Sequence, residues 1–470
     1  MPHVLFIRPL YEGDELEFAE PLGIERLAGY LRERGAAEVT VLDRRLYERE
    51  RREGLSASAF WEDVRAACDD TPPDLVCFSL MTAQDVPDAL RVHSRLRAWY
   101  PRARFQAGGV YVTTATDEAR RRLPRDFSLV RGEGEAPLLD AMTGIEGERA
   151  GNAGEQVGRA GEQVVHPDEW AMAYRPHVER YASLGCAVNV QTSRGCPGAC
   201  TFCATPLLPH GLGRWRPRSL SLVADELEHE CRRLEQAGLP PVFNLVDDDA
   251  GPLSRMEELA SELRKRELAI AFACEMRLAA LVGQPNLARR LRHLREAGLS
   301  RLFVGVESLN PQTLKAWRKT YDLGRLEETV AAVREAGIAL QAGYILWHRH
   351  QTVEGALAEA AELRRLGLYT HQVAVSRLIV FEGCELARRG SGTGFEPMGR
   401  DAETFYERFM RASGELRERW VKAAVAEPYL ASCAALGVRA DDLRKLREEL
   451  ARMNDQSYAL LQGIRCDARG

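Results

Sequence analysis

Two separate runs of alternating strand and helix patterns constrain this 470-residue chain more than any other feature. In the first, the apolar run HVLFIRPL from His3 has strand length and leads into the helical LGIERLAGYLRERG, which ends at Gly35. EVTVLD, DLVCFSL, RFQAGG and FSLVRG read as further strands, with FWEDVRAACDD, VPDALRVHSRLRAWY and ATDEARRRL as helices among them. Strands that alternate with helices lie parallel and are joined by right-handed crossovers. Residues 1–144 are therefore expected to form a doubly wound, Rossmann-like α/β domain.

Residues 145–183 interrupt the alternation. They are rich in glycine and charge, repeat AGEQV at 153–157 and 160–164, and lack an apolar face, so they are expected to be a linker. From Ala187 a second series begins, with strand candidates AVNVQTS, PVFNLVDD, LAIAFACE, RLFVGVES, IALQAGYIL and HQVAVSRLIV. Helical stretches such as LVADELEHECRRLEQAG separate them, which predicts a partial (β/α)6 barrel over 184–390. Beyond that, FYERFMRASGELRERWVKAAVAEPYL and DDLRKLREELARMNDQSYALLQGI predict a helical region over 391–470 that covers the open barrel and contributes to substrate choice.

A net charge of -5 argues against a mainly electrostatic grip on nucleic acid or an anionic membrane. No apolar run is long enough for a spanning helix, and MPHVLFIRPLYEGDE reads as a buried strand rather than a signal peptide. A cytoplasmic location is expected.

Of eleven cysteines, Cys68, Cys77, Cys186, Cys231, Cys274, Cys384, Cys433 and Cys466 are scattered and are expected to act as small buried hydrophobes. The other three fall within S-R-G-C-P-G-A-C-T-F-C-A, where Cys196, Cys200 and Cys203 have the spacing C-x3-C-x2-C. This loop follows a strand, at the end of a barrel where such enzymes keep their chemistry. Three thiolates can hold three irons of a [4Fe–4S] cube and leave the fourth iron open to substrate. A structural zinc is the alternative, and it would need a fourth ligand, with His210 the nearest.

This spacing, with an aromatic at Phe202, closely resembles the radical S-adenosylmethionine (SAM) superfamily over about residues 184–390. The resemblance implies that the open iron binds SAM and that its cleavage yields a 5′-deoxyadenosyl radical. It further implies SAM contacts from Glu307 and Ser308 in GVES, from Asp248 in the run Asp247–Asp248–Asp249, and from Glu275 and Arg277 in ACEMR. A solvated turn, or for Glu275 and Arg277 a buried ion pair, is the structural alternative. Relatives often carry G-[FY]-I-x-G-x-P-G-E-T at the fifth strand; here it is G-Y-I-L-W-H-R-H-Q-T. Trp347, His348 and His350 are accordingly expected to line the site and to bind a substrate anion or shuttle a proton, a surface loop being the alternative.

The first domain resembles the cobalamin-binding domain of one radical SAM subfamily, that of the class B methylases. The matching pieces are EPLGIERLAGYL, CFSLMT, AGGVYVTT and VRGEGE. Ser79, Thr82, Gly108, Gly109, Val110, Gly132 and Glu133 are thereby expected at the cobalamin face, the glycines letting backbone pass close to a large ligand. No histidine stands two residues after an aspartate, so the D-x-H-x-x-G cobalt-ligand motif is absent and a degenerate domain remains an alternative.

The resemblance implies cofactors of a [4Fe–4S] cluster, SAM and cobalamin. It also implies a small-molecule or peptide substrate and an electron donor such as flavodoxin or ferredoxin, with no nucleic-acid or membrane partner, for a monomer or homodimer. The reaction expected is C-methylation of an unactivated carbon of a natural product or peptide; cyclisation or rearrangement of a small metabolite, and a non-catalytic corrinoid sensor or carrier, are the alternatives. An RNA methylthiotransferase is discounted, because the first domain holds only Cys68 and Cys77 and the tail is mixed in charge.

Overall fold

The computed structural model describes residues 1–11, 18–55, 59–143, 164–208, 211–319, 321–381 and 384–464. His210, Cys466 and the AGEQV repeat apart from Val164 lie outside them. The chain forms two compact units: Met1–Cys186 with Leu208–Gly213, and Ala187–Leu207 with Arg214–Gly470.

The first unit holds β1 (His3–Arg8), β2 (Glu38–Asp43), β3 (Leu75–Ser79), β4 (Arg104–Gly108) and β5 (Phe127–Leu129). They form one parallel sheet in the order β2-β1-β3-β4-β5. Alternate side chains of β1 feed two different cores, as a doubly wound sheet requires. Leu5 and Ile7 pack with Val64, Val92 and Leu96 on one face. Val4 and Phe6 pack with Ile24, Ala28 and Leu31 on the other.

The described part of the expected linker belongs to this unit. Val165, Trp170 and Ala171 pack around Tyr30, and the Arg26 guanidinium donates to the Ala171 carbonyl at 2.6 Å. A Cβ at Gly29 would collide with the Met172 carbonyl oxygen. The segment lacks helical or strand periodicity, which is why its sequence reads as a tether although its backbone is packed.

In the second unit β6 (Val188–Val190), β7 (Val242–Leu245), β8 (Ala271–Arg277), β9 (Leu299–Glu307) and β10 (Ala339–Tyr344) form a parallel sheet in sequence order. The sixth expected strand, HQVAVSRLIV, is divided. His371–Val375 is helical, a parallel bridge joins Arg377 to Trp347, and Ile379–Val380 pairs antiparallel with Gly394–Phe395. The Trp347 N–H donates to the Ser376 carbonyl and the Leu378 N–H to the Trp347 carbonyl, so this bridge occupies the sixth place of the sheet in miniature. Along β9, Leu302, Val304 and Val306 are buried, while Arg301, Phe303, Gly305 and Glu307 are half-buried. One face therefore lies under the helices and the other lines a more open side.

Three helices close the chain: Arg400–Ala412, Gly414–Ala435 and Ala440–Gly463. The second approaches the sheet where its strands begin, with the Ser432 hydroxyl 2.8 Å from that of Ser300. It thus meets the end of the strands opposite the cysteine loop. No helix among the described residues is long and apolar enough to cross a membrane. Seven of the eight scattered cysteines are buried, and the eighth is Cys466.

Candidate cofactor sites

The cysteine loop leaves the carboxyl end of β6 and is clamped at its root by Asp247, just beyond β7. This carboxylate accepts from the Thr192 N–H at 2.8 Å, the Thr192 hydroxyl at 2.7 Å and the Ser193 N–H at 2.7 Å. Burial pushes Asp247 up to about 6 despite those donors. Farther along, the Thr201 N–H donates to the Trp317 carbonyl and the Thr201 carbonyl accepts from Leu386. Phe202, half-buried, packs edge to face on Trp317 with ring centres 5.4 Å apart.

The three thiols are half-buried. Gly198 N–H points at Cys196 Sγ at 3.3 Å and Thr205 N–H at Cys203 Sγ at 3.4 Å, contacts that favour sulfur carrying negative charge. Burial raises the Cys196 thiol to about 11 and raises Cys200 as well, the latter opposed by Lys319. Among the described residues no three His, Cys, Asp or Glu side chains converge as ligands of one ion. A cube, by contrast, takes each thiolate on a separate iron, so this donor set fits a [4Fe–4S] cluster.

Beside the loop lies a cavity of about 690 Å³ lined by Gly198, Cys200, Arg277, Gly305, Lys319 and Tyr321, among others. Two ion pairs frame it. Arg277 Nε meets Asp249 Oδ2 at 2.6 Å, and the Arg277 N–H also donates to that carboxylate. Lys319 Nζ meets Glu307 Oε1 at 2.9 Å. Glu307 ends β9 with φ 67°, in the left-handed region that a non-glycine residue occupies only under local constraint. Gly305 makes room for the pair: a Cβ there would run into Glu307 Oε1 and stand 3.0 Å from Lys319 Nζ. Opposite charges beside open sulfur ligands suit the amino and carboxylate groups of SAM.

Other expected contacts fall differently. Asp248 is exposed and accepts from the Thr205 hydroxyl at 3.3 Å. Glu275 is exposed on β8, two residues before Arg277. Ser308 is fully buried, and its Oγ accepts from the Asn310 N–H at 3.0 Å, so it shapes the turn before helix Pro311–Ala316 and does not face the cavity. Lys319 carries no motif in the sequence, and Asp249 is one of three adjacent acids that the sequence does not tell apart; the fold that brings 319 to 307 and 249 to 277 distinguishes them.

The W-H-R-H turn corrects a second expectation. Trp347 is wholly buried, its indole N–H donates to the Ala374 carbonyl at 2.7 Å, and it packs on Phe405 and Tyr406. It packs in the core because its backbone extends the fifth strand and bridges Arg377, which takes the sixth place. His348 is 4% exposed and stacks edge to face on Trp317, and burial lowers its pKa to about 4, which favours the neutral ring. His350 is exposed, with its N–H directed at His348 Nδ1.

In the first unit, Ser79, Thr82, Gly108, Gly109, Val110, Gly132 and Glu133 gather at the carboxyl edge of β3, β4 and β5. Asp85 accepts from the Met81 and Thr82 N–H groups and from Arg45, which fixes the loop after β3. Gly109 has φ 99°, and a Cβ there would lie 2.5 Å from the Leu80 carbonyl oxygen. Gly132 has φ 78°, and a Cβ would lie 2.8 Å from Leu212. Their lack of side chains thus serves the fold itself. Gly108 differs: a Cβ there finds only ordinary contacts with Val130. Met81 and Val110 are 47% and 48% exposed, large apolar side chains left open on this edge. An exposed apolar edge at the carboxyl ends of parallel strands suits a broad, partly apolar ligand such as a corrin.

Comparison with known proteins finds a family model for each of the two units. Residues 17–141 match the B12 binding domain and residues 190–357 the Radical SAM superfamily. The chain is 23% identical over 387 residues to an anaerobic magnesium-protoporphyrin IX monomethyl ester cyclase of Rubrivivax gelatinosus, covering 77% of this chain and 65% of that protein. It is 25% identical over 360 residues to the hopanoid C-3 methylase of Methylococcus capsulatus, covering 71% and 62%. The chain thus spans somewhat less than two thirds of these relatives. The structure of the cobalamin-dependent SAM radical enzyme OxsB, with aqua-cobalamin and SAM bound, superposes with a TM-score of 0.77 over 98% of this chain and 72% of that one, at 17% identity, a likeness of fold. The chain belongs to the radical SAM proteins that carry an amino-terminal B12-binding domain, whose cofactors are a [4Fe–4S] cluster, SAM and cobalamin.

Proposed function

We propose that this radical SAM enzyme C-methylates an unactivated carbon of a small natural product or a peptide. The observation that carries the reading is the union, in one chain, of the cysteine loop with its charged cavity and a corrin-suited apolar edge. When bound, the cluster supplies an electron for cleaving SAM and cobalamin supplies a methyl carrier. The chain's own task is binding and orientation. Cys196, Cys200 and Cys203 hold iron. Glu307 and Lys319 offer opposite charges to a zwitterion, with Arg277 held in place by Asp249. Ser79, Thr82, Gly108 and Val110 present the corrinoid edge, and Phe202 braces the loop from behind. The hopanoid methylase supports methylation, whereas the cyclase supports a second reading, ring closure of a small metabolite. A cytoplasmic workplace and a flavodoxin- or ferredoxin-type donor go with either reading.

The test is anaerobic reconstitution followed by metal analysis and product assay. Methylation predicts about one cobalt per chain and S-adenosylhomocysteine formed alongside 5′-deoxyadenosine. 5′-Deoxyadenosine without S-adenosylhomocysteine, in the presence of a converted substrate, would overturn methylation in favour of cyclisation or rearrangement.

A further inference from the structure

We propose that the Glu307–Lys319 pair sets the reduction potential of the cluster bound by the cysteine loop, its two members acting in opposite directions. The inference rests on the reading of Cys196, Cys200 and Cys203 as iron ligands and goes beyond it, because nothing in that reading assigns the potential to particular side chains.

Lys319 Nζ is 2.9 Å from Glu307 Oε1, and both side chains are largely shielded, at 13% and 15% exposure. Lys319, Cys200 and Gly198 line the same cavity. The cation interacts electrostatically with Cys200 and Cys196, and Glu307 with Cys200. Burial draws the Lys319 ammonium down, but Glu307 and Cys200 outweigh it and hold it charged. The backbone is arranged around the pair at some expense: Glu307 adopts φ 67°, the β9–β10 register shifts between Gly305 and Glu307, and a Cβ on Gly305 would displace the paired side-chain ends. A surface ion pair would not require such construction.

Charges fixed near a cluster in a weakly screening site act on its potential, since the reduced form carries one more negative charge than the oxidised form. A cation beside Cys200 favours the reduced form, and the carboxylate next to it partly cancels that effect. Tuning by the pair therefore has a signature that mere structural support lacks, namely opposite shifts on neutralising either member.

The experiment is a dithionite titration of the reconstituted full chain without SAM, with the reduced cluster followed by electron paramagnetic resonance. Iron content and far-ultraviolet circular dichroism are checked for each variant. In Lys319→Met the ratio of reduced to oxidised cluster at a fixed potential should fall about tenfold, equivalent to 59 mV for one electron. In Glu307→Gln it should rise by a similar factor. Lys319→Arg, which retains the charge, should titrate like the parent. Shifts of the same sign in the two neutralising variants, or changes below about twofold in both, would overturn the proposal. Should Lys319→Met fail to fold, the Glu307→Gln shift alone decides, as a fall or no change there contradicts it. A parent chain that binds no cluster would instead refute the reading of the cysteines.

Discussion

At the carboxyl edge of the first sheet the chain presents small and apolar groups, Gly108, Gly109, Val110 and Met81, whereas at the same edge of the second sheet it presents charge. Both edges come from parallel strands joined to helices, so the difference lies in what each must hold. The first edge is kept bare by tight backbone: Gly109 sits under the Leu80 carbonyl. The second is held by side chains that anchor one another: Asp247 to Thr192 and Ser193, Asp249 to Arg277, Glu307 to Lys319. A face shaped by backbone should fail by unfolding; one shaped by side chains should fail in its chemistry while the fold survives.

The largest effect expected is at Cys200. On the proposed reading Cys200→Ala removes one of three iron ligands from a loop otherwise pinned through Thr201, so iron content and formation of 5′-deoxyadenosine should both vanish while the thermal unfolding of the chain stays close to the parent's. Activity that survives would break the enzyme reading. Gly109→Ala should act in the opposite sense. An alanine at φ 99° with its Cβ against the Leu80 carbonyl carries about 1–3 kcal/mol of backbone strain before the clash is counted. Urea unfolding followed at the first unit should show the loss.

Asp247 links stability to pH. Its folded-state pKa, about 6, lies above the ordinary 3.8, so the native state binds the proton more tightly. Stability should therefore fall as pH rises from about 4 to about 6, by up to about 3 kcal/mol, and stay at the lower level above that. Asp247→Asn should flatten this window, as measured by denaturant midpoints across the range; an unchanged slope would assign the titration elsewhere.

How much of this was legible in the sequence follows from what each residue's role depends on. The strands of both sheets announce themselves by apolar runs, and the cysteine loop by its spacing, because these are local properties. Lys319 is invisible locally and Asp249 cannot be told from its acidic neighbours, since each acquires a role only through a partner 12 or 28 residues away, Glu307 and Arg277. Residues 164–183 have no period to read, yet are packed through backbone contacts to Arg26 and Glu25. Trp347 misleads for a different reason. It stands where relatives have a tight turn, but its backbone bridges Arg377, which holds the sixth strand place, and its ring has turned into the core. Trp347→Phe should accordingly leave the Ala374 carbonyl without its donor and cost about 1–2 kcal/mol in stability, with SAM cleavage per folded chain unchanged. A collapse in turnover with stability intact would restore Trp347 to the reacting groups.

The smallest expected effect is the sharpest test of the first edge. Gly108 and Gly109 are adjacent and look equivalent in sequence, but only Gly109 has a backbone that rejects a side chain. At Gly108 a Cβ would meet the Val130 carbonyl oxygen and Cβ at 3.6 and 3.7 Å, ordinary contact distances. Gly108→Ala should therefore change unfolding by less than about 0.5 kcal/mol. If cobalamin lies against this edge, the added methyl should still weaken its binding a few-fold, read by absorbance titration with aqua-cobalamin, because close approach of backbone to ligand is what a glycine there permits. Unaltered affinity in Gly108→Ala, alongside a destabilised Gly109→Ala, would mean that both glycines serve the fold alone and that the corrin sits elsewhere along the edge, nearer Met81 and Thr82.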